Sequence, residues 1–193
     1  PAKIKNMTFQ TPIQSNAGLD VYEQPDKNKT YVCCVDVARG VTKDYSAFTM
    51  IDVTKMPYKI VAKYRNNDIK PLLFPHTIEQ VAKGYNHAHV LVETNDLGQQ
   101  VAEALQFELE YDNLLMTTQR GRSGQVLGAG FSGRGSGFGV KMTKQIKKIG
   151  CSNIKTLVEG DKMIINDFNI IEEMSTFIKR GQSWQAEEGN TDD

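Results

Sequence analysis

Two carboxylates stand at the ends of two apolar runs. Tyr31-Val32-Cys33-Cys34-Val35 leads into Asp36, and His89-Val90-Leu91-Val92 leads into Glu93. A β-branched run that closes on an acid sets that acid at a strand tip. If the two strands pair, the acids lie side by side. The chain ends on a third acidic candidate, Asp192-Asp193. Carboxylates cluster only where something offsets their repulsion, and Mg²⁺ or Mn²⁺ does that with hard oxygen ligands. Two such ions about 4 Å apart can activate water and stabilise a leaving oxygen in phosphodiester cleavage. That chemistry requires neither His nor Cys, and the chain holds only three of each.

Each acid also has a plainer reading. Asp36 opens Asp36-Val37-Ala38-Arg39-Gly40, with Asp44-Tyr45-Ser46 beyond. The small residues leave space for a metal and a phosphate, but Asp36 can equally cap the loop while Asp44 is solvated. Glu93 lies in Val92-Glu93-Thr94-Asn95-Asp96-Leu97-Gly98. Its carboxylate can be held by the start of the following helix, near Asn95 and Gly98. A carboxylate closing an apolar strand needs either such donors or a cation. Asp192 and Asp193 can be a solvated tail. Taken together, the three acids favour the metal reading.

The formal net charge is zero, with 23 acidic and 23 basic residues, but the charge is segregated. From Leu115 to Gly150 there is no Asp or Glu, while Arg120, Arg122, Arg134, Lys141, Lys144, Lys147 and Lys148 fall within it. Such a stretch can bind phosphate locally. Residues Gly121 to Gly139 read as a Gly/Ser-rich loop, either a plain surface loop or an arm whose arginines track a phosphate backbone. Gly128-Ala129-Gly130-Phe131-Ser132-Gly133 fits G-x-G-x-x-G, yet follows no long strand and opens no helix, so a dinucleotide site is not expected. The G-x-x-x-x-G-K-[ST] pattern is absent, so no ATP site is expected in this chain. Most of the lysines from Lys141 to Lys148 share one helical face, which reads either as a solvated face or as a DNA contact.

Stepping along the chain, residues 1–30 read as a polar N-terminal arm, with Phe9 to Ile13 a short strand. Strands are expected over Tyr31 to Asp36, Ser46 to Val53 and Lys59 to Arg65, antiparallel because their joining turns are short. Pro71 to Asn86 reads as a helix with Ile78, Val81, Ala82 and Tyr85 on one face. His89 to Glu93 is a buried-type strand, Leu97 to Tyr111 a helix, and Leu114 to Thr117 a short strand. Lys141 to Glu159 is helical with a break expected at Gly150. Lys162 to Ile165 is a strand-like stub, and Asp167 caps a helix to Lys179. Ser183 to Ala186 is a last strand. A mixed sheet flanked by helices follows, an α/β domain over 31–193, with the Asp36 and Glu93 strands adjacent at the sheet centre.

Composition sets few further limits. A hydrophobic fraction of 39% and a charged fraction of 24% fit an ordinary globular domain. No apolar stretch nears the roughly 18 residues of a bilayer span, and no membrane partner is expected. Cys33, Cys34 and Cys151 read as reduced thiols, adjacent Cys33 and Cys34 facing opposite ways on a strand. His76, His87 and His89 lack the partners of a zinc site. The chain opens at Pro1 without Met, as expected of a piece of a longer protein.

Asp36 with Asp44-Tyr45-Ser46, Glu93 57 positions after Asp36, and the ending Trp184-x-Ala-Glu-Glu-Gly-x-x-Asp192-Asp193 carry a resemblance. Together they resemble the nuclease domain of tailed-bacteriophage large terminase subunits, most closely those of T-even-type phages. The resemblance implies a ribonuclease-H-like fold and cutting of concatemeric viral DNA during packaging with Mg²⁺ or Mn²⁺. It implies Asp36, Glu93 and Asp193 as catalytic acids, with Asp192 as a near alternative and Asp44 as an acid beside the metal. It also implies Cys151-Ser152 at the head of a helix, and an apolar helix after the terminal acids that this chain lacks. The implied partners are double-stranded DNA, an ATPase motor domain N-terminal to this chain, the portal and the small terminase subunit, in the host cytoplasm. A branched-DNA resolvase of the same fold and a non-catalytic DNA-binding module are the competing expectations.

Overall fold

The computed structural model describes residues 4, 7–38, 45–119, 125–128, 136–180 and 183–186. Among these, β1 (Gln14–Asn16) and β2 (Leu19–Val21) form a hairpin. β3 (Tyr31–Asp36), β4 (Ser46–Asp52) and β5 (Tyr58–Asn66) follow as an antiparallel meander. α1 (Phe74–Gly84) then crosses to β6 (His89–Val92), which pairs parallel with β3. α2 (Gly98–Glu103) runs on into a π-helical turn, Ala104–Glu108. β7 (Met116–Gln119), β8 (Gln125–Gly128) and β9 (Ser136–Phe138) make a separate three-stranded sheet. α3 (Lys144–Glu159), β10 (Met163–Ile164) and α4 (Phe168–Thr176) come next, and β11 (Phe177–Arg180) with β12 (Ser183–Ala186) closes the described chain as a hairpin. The main sheet runs β1-β2-β5-β4-β3-β6, with β10 parallel to β5 as its seventh strand.

Alternation along β3 explains the layering. Tyr31, Cys33 and Val35 are buried on one face, and Val32, Cys34 and Asp36 point to the other. The first face joins Phe48, Met50, Ala62, Tyr64, Val90 and Val92 in the larger core. α1 covers it with Phe74, Ile78 and Ala82, spaced by four and all fully buried. Each large apolar side chain so buried contributes roughly 1.5–3 kcal/mol. Phe48, Tyr64 and Phe74 stack with centroids 5.1–6.2 Å apart, fixing α1 on the sheet. α2 adds Val101, Ala102 and Leu105 to the same core.

The opposite face carries a smaller core of Ile4, Ile60, Val158, Ile165 and Ile171, closed by α3 and α4. Asp167 docks α4. Its Oδ1 accepts the Ile170 amide at 2.8 Å as an N-cap, and its Oδ2 accepts the Lys63 ammonium at 2.6 Å and the Tyr22 hydroxyl. Burial opposes ionisation of Asp167, but Lys63, Tyr22 and the Ile170 amide outweigh it and hold the carboxyl below its ordinary range.

Several expectations need correcting. β6 is adjacent to β3 but lies at the end of the strand order, because the described segments beside it meet it in isolated bridges, Val90–Leu114 and Glu93–Val140, and not as a paired strand. α3 runs unbroken through Gly150, whose flexibility costs only about 1 kcal/mol in a helix. Cys151-Ser152 therefore sits mid-helix rather than at a helix head. Phe9 is in no strand. It packs edge-on against Phe168 at 5.1 Å, and the strand starts later, at Gln14. The segment read as an arm supplies β2, which pairs with β5. The Gly-rich stretch carries β8 and β9. The helix capped by Asp167 stops at Thr176, where the chain turns extended into β11. Among the described residues, no helix is long and apolar enough to cross a membrane.

Candidate metal centre

Parallel pairing of β3 with β6 sets the geometry. Val35 is in register with Val92, and the Glu93 amide donates to the Val35 carbonyl at 2.9 Å. Asp36 and Glu93 are the next residues in that register, on neighbouring strands about 4.8 Å apart. Parallel strands end at the same edge, so both acids emerge together. Asp36 is exposed and Glu93 half-buried.

Behind the acids lies one face of the sheet. Asp36, Ala47 and Arg65 form a row across β3, β4 and β5, and Cys34, Thr49 and Lys63 form the next. Both rows, with Leu91 and Glu93, line a cleft of about 600 Å³ whose far wall is built by α3 and α4. Arg65 is held by Glu173 at 3.1 Å and stacks over Tyr45 with its guanidinium 4.0 Å from the ring centre. Burial in this apolar cleft pushes the Cys34 thiol up to about 11.

Glu93 itself is held by a tight turn. The Thr94 amide donates to the Val140 carbonyl and the Val140 amide to the Val92 carbonyl, at 2.9 and 2.8 Å. A Cβ on Gly98 would fall 1.8 Å from the Glu93 carbonyl oxygen, so only glycine lets α2 start this close. Gly139 sits at φ +68° and would place a Cβ 2.2 Å from the Val92 carbonyl oxygen. Asn95 Nδ2 donates to Glu93 Oε1 at 3.1 Å and to the Met142 carbonyl at 3.2 Å. Both neighbours are acceptors, which fixes the orientation of the amide.

The structure thus brings Asp36 and Glu93 together. The other proposed ligands, Asp44, Asp192 and Asp193, lie outside the described residues, as do Arg120, Arg122 and Arg134. Among the described residues no group of three or more His, Cys, Asp or Glu side chains could hold a metal ion. The two acids that are described offer hard oxygen donors, the type that suits Mg²⁺ or Mn²⁺. The plainer reading of Glu93 looks to the helix start for a donor; the donor found is the Asn95 side chain, ahead of α2.

The lysines stand close by in sequence and space. Met142, the Asn95 partner, lies two residues before α3. Lys141, Lys144 and Lys148 are exposed, and Lys147 is half-buried with its ammonium 5.6 Å from the Phe177 ring centre. Thr143 caps α3, and no acid occupies its first turn, so the lysines add to the positive end of the helix. Spacing alone does not mark Asn95, Arg65 or Gly98 as site residues. Asn95 and Gly98 stood in the Glu93 string, but only the turn geometry shows what they touch.

A family profile described as "Terminase RNaseH-like domain" matches residues 33–193. The chain belongs to this terminase family. Its fold is the ribonuclease-H-like one expected. The large terminase nuclease from thermophilic phage G20c with bound magnesium superposes with a TM-score of 0.72 at 17% identity, over 98% of this chain and 88% of that one. The same nuclease with bound cobalt gives 0.70 at 18%, over 99% and 88%. The Thermus phage P74-26 large terminase nuclease domain gives 0.67 at 16%, over 96% and 84%. At these identities the likeness is one of fold.

Proposed function

We propose that this terminase domain is a metal-dependent DNA endonuclease that cuts concatemeric viral DNA during genome packaging, with little sequence preference. The observation that carries the reading is the β3–β6 register, which puts Asp36 and Glu93 at one sheet edge beside a lysine-bearing helix start. Membership of the family and the metal-bound nucleases of like fold support it. Asp36 and Glu93 would hold Mg²⁺ or Mn²⁺, with Asp193, Asp192 and Asp44 as the further proposed ligands. Bound metal, as two ions in the full form of the proposal, supplies an activated water and charge stabilisation for phosphodiester hydrolysis.

The chain's own residues do the rest. Lys141, Lys144, Lys147 and Lys148, with Arg120, Arg122 and Arg134, would neutralise the DNA backbone and seat it at the acids. Asn95 and Gly98 hold the Glu93 turn in place. The Asp44-Tyr45-Ser46 string and the Trp184 to Asp193 ending support kinship with T-even-type terminases. An ATPase motor domain, the portal and the small subunit are the proposed partners, in the host cytoplasm.

The test is cleavage of supercoiled plasmid in Mg²⁺ or Mn²⁺ by the wild type, Asp36→Asn and Glu93→Gln. The wild type should nick and linearise, and both variants should fail while keeping their unfolding midpoint. Equal cutting by all three would sink the site. Selective cutting of four-way junctions over linear duplex would instead favour a resolvase.

A further inference from the structure

We infer that Asn95 is a positioning residue for Glu93: its side-chain amide holds the Glu93 carboxylate and ties it to the backbone that leads into α3. The inference rests on the reading of Asp36 and Glu93 as metal ligands. One nitrogen, Nδ2, serves two acceptors on different elements, Glu93 Oε1 at 3.1 Å and the Met142 carbonyl at 3.2 Å. The Asn95 Oδ1 is buried with no hydrogen-bond partner among the described residues. An amide kept only for general polarity would satisfy both ends. Among the described residues every hydrogen bond of this side chain is made by its NH₂ group, to two acceptors on different elements, so the NH₂ group is what this site uses.

The surroundings leave Asn95 little freedom. The Gly98 amide donates to the Asn95 carbonyl at 3.0 Å, closing the turn from behind. Gly98 meets the Glu93 carbonyl with no room for a Cβ. On the other side, backbone bonds between Val92, Val140 and Thr94 fix the connector that carries Met142. A half-buried glutamate has several rotamers, and a fixed donor at Oε1 selects one before any ion arrives. The same bond makes the acid move with the connector to α3, whose lysines would seat the DNA.

Mn²⁺ binding to the whole domain, followed by electron paramagnetic resonance of the free ion, tests this. The proteins are wild type, Asn95→Ala, Glu93→Gln and the double variant, with plasmid cleavage as the second readout. Asn95→Ala should weaken Mn²⁺ binding about 10- to 100-fold. It should lower kcat at sub-saturating Mn²⁺ while the KM for DNA stays put. In the Glu93→Gln background it should change Mn²⁺ affinity no further, because it acts through that carboxylate. Should Asn95→Ala not fold, Asn95→Leu fills the same volume without a donor and is expected to behave alike. Wild-type Mn²⁺ affinity in the Asn95 variants, or an equal loss in both backgrounds, overturns the inference. If Glu93→Gln binds Mn²⁺ and cuts as the wild type does, the metal-site reading itself fails instead.

Discussion

The amide of Glu93 donates to the carbonyl of Val35, so the second acid is bonded through its own backbone to the residue just before the first. The spacing of the two carboxylates is therefore set by the sheet ladder. Side-chain exchange at either acid should leave that frame intact. This makes Asp36→Asn and Glu93→Gln clean probes of chemistry.

Metal should stabilise the folded domain through these acids. At a free Mn²⁺ concentration 100 times Kd, binding to the native state alone adds about 2.7 kcal/mol. For a chain of this length that raises the unfolding midpoint by roughly 5–10 °C. Scanning calorimetry should show the rise in the wild type and its loss in Asp36→Asn. Chelator should return the wild type to the midpoint of the variant.

Gly98→Ala should cost more than an ordinary helix substitution, where alanine usually helps. The added Cβ has no space against the Glu93 carbonyl, so the turn must open. We expect a lower unfolding midpoint together with loss of Mn²⁺ binding. An alanine variant that binds Mn²⁺ normally would show that the turn does not set the acid.

The Lys63–Asp167 pair should matter for stability and for its dependence on pH. Both side chains are buried, at 8% and 2% exposure. Removing one partner from a buried pair typically costs about 3–5 kcal/mol, and we expect Asp167→Ala to fall in that range by urea denaturation. The folded carboxyl sits below its ordinary value of 3.8. Above that value both states are ionised and the stabilisation is present in full. Below it the unfolded chain takes up the proton first, so stability falls as the pH drops. The acid slope of stability should be shallower in Asp167→Asn.

Basic residues at the start of α3 should show in the salt dependence of DNA binding. Each phosphate contact adds about 0.9 to the slope of log K against log salt on duplex DNA. Lys144→Ala with Lys148→Ala should reduce that slope by about 1.8 if both contact phosphates. An unchanged slope would mark this as a solvated face.

The strand that carries Asp36 was legible in the sequence because an apolar run with turn residues beyond it marks a strand, and β3 begins at Tyr31 and ends at Asp36 as that run does. The meander of β3 to β5 followed from short turns, and α1 from its four-residue spacing of apolar positions. What could not be read was long-range. The edge position of β6 depends on what fails to pair beside it, and β2 joins the sheet through β5, more than 35 residues on. β8 and β9 hide in a glycine-rich stretch because their partner, β7, gives them their order. The role of Asn95 was hidden for the same reason: its second acceptor, Met142, is 47 residues away.

The parallel join of β3 to β6 has one more consequence, for timing. Residues 32–35 meet 89–92 only after the meander and α1 have been laid down between them. Contacts of such separation form late, since loop closure must come first. A nascent chain that already carries Asp36 therefore has no paired acid until the crossover closes. In a nuclease, cutting ability would then appear only with the finished fold, so that half-made chains pose no hazard to the DNA around them.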